Sequence, residues 1–415
     1  MSVFMVARFI WSMSRLAQSY LPLYVLALGG TGVTVGLIST LGAIAQFITQ
    51  PIGGYLADSV SNRVKVIGIG TTFLALSYLT YLFAPNANVI LLGAFIINMN
   101  FIHSSSQSAL MADSLTSKQR SAGFSFVLAI QRGTPLIVTV IGGIIIETFG
   151  LNLGIRVSYA LTIIIGLLVA YIRGRYLKEF PNLRKNASSI PFSISKIPQI
   201  VITAYKEMYH TVRNLPRKLI AIAVVSFIGY ITTTIVSPFW IIYATDIIGV
   251  KPSEWGLAMT LSGVMTVIAS LLAGQLIDRI GRRRSLLSSL FIMPFIILSF
   301  LFCSTSFHVI LFWVLISTIL CFITPAFQAI FMDITPPNIR GRVLSALGMN
   351  PFWVQPRAGV MVGIGFLAYI PTALAGLLSG YVYDTNIMLP WLILAASFFV
   401  IFLVTFIYIR EPKNT

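Results

Sequence analysis

Three ionisable side chains sit deep inside apolar stretches of this chain: Arg15, His103 and Arg132. At 1.5 Å per helical residue, Arg15 and Arg132 lie roughly 16–18 Å into their stretches, and His103 about 13 Å from the end of its own. Burying such a group in a bilayer costs roughly 2.5–3.5 kcal/mol, which makes each a functional candidate. Each has polar company. Gln18 follows Arg15 by one turn, Asn100 and Gln107 share a helical face with His103, and Gln131 precedes Arg132. The second half of the chain offers Tyr230, Thr233, Trp240 and Gln328 to the same site. None of the 11 acidic residues falls at mid-stretch. The site is therefore expected to be net positive, which favours an anionic or neutral polar solute over a lipophilic cation. His103 is the one group there whose ordinary pKa is near physiological pH. The structural alternatives are snorkelling for Arg15, an interhelical hydrogen bond for Arg132 and polar packing for His103.

The elements that would position these residues follow from composition. Of 415 residues, 57% are hydrophobic and 9% charged. So few charges cannot cover a water-soluble surface of this size, so the chain is read as a bilayer protein. Apolar runs of helix-spanning length occur near 3–28, 33–57, 66–84, 88–111, 121–148, 154–173, 217–245, 256–277, 286–303, 308–331, 359–382 and 388–409. They are numbered here as helices 1 to 12. The fold class is an all-α polytopic membrane protein of twelve transmembrane helices in two pseudo-symmetric six-helix bundles.

The net charge of +17 resembles a nucleic-acid signature until the charges are placed. Most of the 28 Lys and Arg lie in the even-numbered loops and at the C-terminus, while the odd-numbered loops hold Arg156 and Lys251. This bias puts both termini in the cytoplasm and makes the plasma membrane the expected location. The basic balance is then topology facing anionic lipid, and no nucleic-acid partner is implied. No cleavable signal peptide is recognised. Cys303 and Cys321 read as apolar packing residues.

The chain repeats itself. Gly36 recurs as Gly256, Gly54 as Gly274, Asp58 as Asp278, Asp113 as Asp333 and Arg120 as Arg340, always 220 positions on. Six helices per unit make the halves parallel repeats about an axis normal to the membrane. Gly143 and Glu147 match Gly380 and Asp384 at an offset of 237, so the second half carries 17 extra residues before helix 11. The segment 344–357, with Pro351 and Pro356, is the expected insert, read as an interfacial elbow with a gate as the alternative. The domains are an N-terminal bundle over 1–176, a basic linker over 177–216 and a C-terminal bundle over 217–415. Within the linker Ile197, Ile200, Val201, Ala204, Tyr205, Met208 and Val212 share one helical face, which suits a helix lying on the cytoplasmic leaflet.

The loop between helices 8 and 9 reads Gly274-Gln-Leu276-Ile-Asp278-Arg279-Ile-Gly281-Arg282-Arg283-Arg284-Ser-Leu286. It resembles the signature G-x-L-A-D-R-x-G-R-R/K-x-x-L of the major facilitator superfamily. The first-half copy keeps Gly54, Leu56, Ala57 and Asp58, with Arg63 and Lys65 following, but loses the Arg-x-Gly core. Asp113 with Arg120, Asp333 with Arg340, and Gly142-Gly143 with Glu147 are similar to that family too. The resemblance implies a latch between the halves on the cytoplasmic side, built from Gly54, Asp58, Arg63, Asp113, Arg120, Gly274, Asp278, Arg279, Gly281, Arg282, Asp333 and Arg340. The plainer reading of Arg282–Arg284 is positive-inside topology. Subfamily marks are missing: there is no Arg near 93–96 in helix 4, Thr134 rather than Gly precedes Pro135, and the sugar-porter and peptide-transporter runs are absent.

What the resemblance implies is secondary active transport of a small polar solute, anionic or neutral, by alternating access, with protons as the coupling ion. Alternatives are a multidrug or metabolite efflux antiporter of the same fold and a non-transporting sensor. No phosphate-binding G-x-x-x-x-G-K-[ST] loop or H-E-x-x-H zinc motif occurs, so neither ATP-driven pumping nor an enzyme is expected. No cofactor is implied, and a monomer is expected.

Overall fold

The structure is a computed structural model. It describes residues 2–60, 62–100, 102–113, 137–177, 195, 197–213, 216–336, 339–348, 351, 352, 354 and 365–409. Among them, ten helices are long and apolar enough to cross a membrane. The other two sequence positions are a broken helix 1 and the described part of helix 5, Ile137–Phe149.

Short polar side chains and prolines mark where helices begin. Thr31, Asn62, Asn86 and Thr305 each accept a backbone N–H from the first turn of the helix that follows. Pro252 and Pro390 open helices 8 and 12, where a missing N–H costs nothing. Helix 2 then runs Gly32–Ser59, helix 6 Leu151–Tyr176, helix 8 Pro252–Ile280, helix 10 Ser306–Ile334, helix 11 Tyr369–Thr385 and helix 12 Leu389–Tyr408.

Several helices are interrupted where hydropathy reads continuous spans. Helix 1 stops at Met13, turns, and resumes as Gln18–Tyr20 and Leu21–Ala27. Neither Gly nor Pro explains the stop. Instead the Ser14 hydroxyl donates to Trp11 O at 2.7 Å, and Thr162 of helix 6 donates to Ser14 O at 2.5 Å. A side chain from a neighbouring helix thus takes over the carbonyl that the helix has released. Helix 3 divides at Tyr78 into Arg63–Ser77 and Leu79–Leu82, and helix 4 divides after Met99 and resumes at Ile102. Helix 7 bends at Ser237-Pro238, between Arg217–Val236 and Phe239–Asp246.

The two halves meet along two seams of glycine. On helix 2, a Cβ added at Gly36 would fall 2.4 Å from Gly376 O and 2.5 Å from Ser379 Oγ of helix 11. A Cβ at Gly380 would fall 2.2 Å from Val33 Cα. On helix 8, a Cβ at Gly256 would fall 2.6 Å from Val140 Cα of helix 5, and one at Gly143 would fall 2.4 Å from Pro252 O. No side chain fits at any of the four positions, so backbones touch directly. These are the repeated glycines of the sequence. The two seams are therefore the same contact made twice, helix 2 on helix 11 and helix 8 on helix 5.

The insert departs from expectation. Arg340–Leu347 is a short helix, but Phe352 is 1% exposed and packs edge-on against Phe327 and near Phe398. The Pro351 carbonyl would meet a Cβ at Gly229 of helix 7 at 2.7 Å. The segment is thus not an interfacial elbow at this point. Its apolar side chains are drawn into the C-terminal bundle, where burial stabilises them. Pro356 lies outside the described residues.

The linker helix, Ile197–Arg213, places Tyr205 between Phe47 of helix 2 and Phe366 beside helix 11, with ring centroids 4.8 and 5.0 Å away. Its hydroxyl donates to Phe47 O at 3.0 Å. Among the described side chains of the linker helix, Tyr205 thus touches both halves.

Candidate transport site

The N-terminal bundle holds a buried polar core. Asn100, His103 and Gln107 are all buried on helix 4, as their shared face implies. His103 lies flat on helix 3, where a Cβ at Gly70 would fall 2.6 Å from the ring's Cγ. Arg173 of helix 6 donates to Thr71 Oγ1 of helix 3 at 2.9 Å. Arg8 and Arg173 are within electrostatic reach of His103, and Arg8 is within reach of Arg15. Gln46 of helix 2 donates to Asn98 Oδ1 of helix 4 at 2.6 Å.

Arg15 and Gln18 line a cavity of ≈ 30 Å³ at the break in helix 1. Its walls are Ser14, Ala17 and Leu21 of helix 1 beside Arg15 and Gln18, with Tyr78 and Tyr81 of helix 3, Ile97 and Asn98 of helix 4, and Tyr159 and Thr162 of helix 6. All four helices belong to one half. Arg15 is therefore turned into the N-terminal bundle and not toward helices 7 and 10. Gln131 and Arg132 lie outside the described residues.

The C-terminal candidates behave differently. Trp240 is 1% exposed, wedged among Phe300, Phe312, Trp313 and Trp391 with centroids 4.7–5.6 Å away. That cluster leaves no face of the indole for a solute, so Trp240 is core of its own bundle. Thr233 is buried and its hydroxyl donates to Gly229 O at 2.7 Å, satisfied within its own helix. Tyr230 is 3% exposed, and Gln328 is half-buried. The structure thus brings Arg15 and Gln18 together, and Asn100, His103 and Gln107 together, but does not join them to the helix 7 set.

The signature residues cap helices within each half. Arg63 is buried and its Nε donates to Ala57 O, near the end of helix 2, at 2.9 Å. Arg340 donates to Met332 O at 3.1 Å at the end of helix 10. Arg283 donates to Ile409 O and Phe406 O, both at 2.8 Å, at the end of helix 12. A cation suits those carbonyl ends. Arg282 pairs with Asp333 at 2.6 Å on the surface. Gly281, at φ +98°, ends helix 8 in a conformation that other residues rarely adopt. Among the described residues nothing lies within 4 Å of a Cβ at Gly54 or Gly274, so no close helix approach is seen there. Asp278 and Arg279 are exposed at the end of helix 8. The side chains of Asp58 and Asp113, and all of Arg120, lie outside the described residues.

Sequence reasoning missed Arg8, Arg173 and Tyr20. Arg173 counts among the cytoplasmic loop charges because it is near a helix end, and Arg8 reads only as a charge carried by the first span. The Tyr20 hydroxyl lies 2.9 Å from Thr139 O and 2.8 Å from Pro252 O, sharing its proton between helices 5 and 8 at the second seam. Nothing in local hydropathy marks it.

Comparison with known proteins agrees with the fold. The family model described as Major Facilitator Superfamily matches residues 1–219 and 222–415. A multi-drug resistance efflux pump PmrA homolog of Lactococcus lactis is 26% identical over 378 residues, covering 87% of this chain and 86% of that protein. The multidrug resistance protein MdtG of Enterobacter lignolyticus is 23% identical over 352 residues, 80% of this chain and 76% of its own. The quinolone resistance protein NorA of Staphylococcus aureus is 30% identical over 128 residues, 31% of this chain and 33% of its own. Among solved structures, the nucleoside transporter NupG superposes with a TM-score of 0.71 at 13% identity, covering 100% of this chain and 99% of its own. A POT peptide transporter gives 0.69 at 14% identity, with 99% and 94% covered.

Proposed function

Because this chain belongs to the Major Facilitator Superfamily and is a multi-pass membrane transporter, we propose that it exports small amphipathic solutes, neutral or anionic, from the cytoplasm. The halves rock about a central site in the plasma membrane, with both termini cytoplasmic and protons as the driving ion. The single observation that carries alternating access is the pair of glycine seams between the halves. Two equivalent backbone contacts related by the repeat can part together, as a rocking motion requires. The signature arginines cap helices inside each half in this conformation and are free to regroup as a latch when the seams open.

Export is favoured by the relative named an efflux pump, of which 86% is covered, and by a second named a multidrug resistance protein, of which 76% is covered. The solute class is favoured by charge. Arg8 and Arg173 lie within the N-terminal bundle, and among the described residues no acidic side chain lies in the middle of a membrane-spanning helix. A lipophilic cation would find no carboxylate at mid-depth. Quinolones, which the name of one partial relative mentions, carry a carboxylate themselves.

The test is efflux from cells expressing the chain, using matched neutral, anionic and cationic dyes. Faster loss of neutral and anionic dyes, abolished by a protonophore, is the expected result. Efflux of cationic dyes alone would refute the solute class, and uptake in place of efflux would refute the direction.

A further inference from the structure

The cavity at the break in helix 1 has a chemistry that transport through the centre does not use. Two helix interruptions meet there, at Ser14–Ala17 and at Tyr78, and both line it. Arg15 is half-buried and lines this cavity. Among the described residues its guanidinium makes no hydrogen bond and no ion pair. Tyr78, Tyr81 and Tyr159 stand around it, with ring centroids 5.1–6.0 Å apart, and Gln18 completes the wall. Among the described residues none of these four side chains makes a side-chain hydrogen bond either. Asn98, by contrast, is already committed to Gln46 and to Ala94 O. The cavity therefore presents one fixed positive charge and several hydroxyl donors.

A cation partly withdrawn from water is stabilised by an opposite charge beside it. The one described N-half carboxylate whose position is seen is Glu147, at a helix end and paired across the seam with Lys251 at 3.9 Å. It is far along the chain from this cavity's walls. The ≈ 30 Å³ available exceeds what one water needs, and is too little for an organic solute.

We infer that this cavity binds one small monovalent anion, of a halide's size, held by Arg15 and the tyrosine hydroxyls. The site lies inside the N-terminal bundle and is separate from the solute path, since its walls among the described residues all come from helices 1, 3, 4 and 6 of one half. Its ion neutralises the arginine and braces the broken turn of helix 1. The inference is independent of the solute proposed above.

The test uses the full chain in nanodiscs of zwitterionic lipid. Its thermal unfolding is followed against chloride, bromide, formate and gluconate at fixed ionic strength, because an ion that binds the native state raises its apparent stability. Halide should raise the midpoint saturably and gluconate should not. Arg15→Gln should abolish the halide dependence, Arg15→Lys should keep it at weaker affinity, and Tyr78→Phe should weaken affinity about tenfold. Anomalous scattering from bromide-soaked crystals should place one ion against the Arg15 guanidinium, which decides the matter if Arg15→Gln does not fold. Equal shifts with halide and gluconate, an unchanged halide response in Arg15→Gln, or no bromide at Arg15 would overturn the inference. A shift with formate but not halide would point to a carboxylate of the solute and overturn it too.

Discussion

Trp240 and Thr162 show how differently two residues of similar promise are used. Trp240 is held by four aromatic neighbours, so its truncation removes packing rather than solute contact. Trp240→Ala should cost about 3–5 kcal/mol of stability. Trp240→Phe should leave the apparent solute affinity unchanged, which a dye-efflux titration would check; a large change would return Trp240 to the solute site. Thr162 satisfies Ser14 O at the break of helix 1. Thr162→Val keeps the shape and strands that carbonyl, at a cost of about 1–3 kcal/mol in thermal unfolding. An unaltered midpoint would mean the break needs no such partner. Residue types that matter were legible in the sequence, because charge inside an apolar run is conspicuous. Which way Arg15 turns was not, since 3.6-residue periodicity on a broken helix no longer reports a face. The indole of Trp240 was ambiguous for another reason: an aromatic in an apolar run fits a core and a binding site equally.

At the scale of elements, the repeat marked Gly36, Gly143, Gly256 and Gly380 before any fold was known, yet gave no partner for them. Only the packing shows that helix 2 faces helix 11 and helix 8 faces helix 5. Gly36→Val and Gly256→Val should therefore behave alike. Each should force its seam apart and expose the buried Ser379 position. Thiol labelling of Ser379→Cys, with Cys303 and Cys321 replaced by Ser, should speed up in both; unchanged labelling would show that the seams tolerate a side chain. The signature loop invites the opposite prediction for stability. Arg282 and Asp333 are 43% and 41% exposed, so Asp333→Asn should change stability by less than about 1 kcal/mol. If the loops regroup as a latch when the seams part, the same variant should still slow transport severalfold. Normal transport rates in Asp333→Asn would remove the latch. Helix number and approximate bounds were legible because each span is long and apolar. The interruption in helix 1 was not, because the side chain that takes up the released carbonyl, Thr162, comes from far along the chain.

For the whole molecule, the parallel repeat, read from five matches at one spacing, is realised as two equivalent contacts between the halves. Tyr20 and Tyr205 add links that the repeat does not duplicate, one at the helix 5–helix 8 seam and one from the linker to helices 2 and 11. A transporter built this way must break its seams in every cycle. Thr40 of helix 2 donates to Ala373 O of helix 11 at 2.8 Å, so these positions face each other across the first seam. Thr40→Cys and Ala373→Cys, in a chain with Cys303 and Cys321 replaced by Ser, can be joined with an oxidant or a short bifunctional thiol reagent and released with reductant. Solute flux in proteoliposomes should stop when the seam is joined by the cleavable link and return when reductant frees it. Flux that continues undiminished through a fully cross-linked seam would contradict alternating access at these helices.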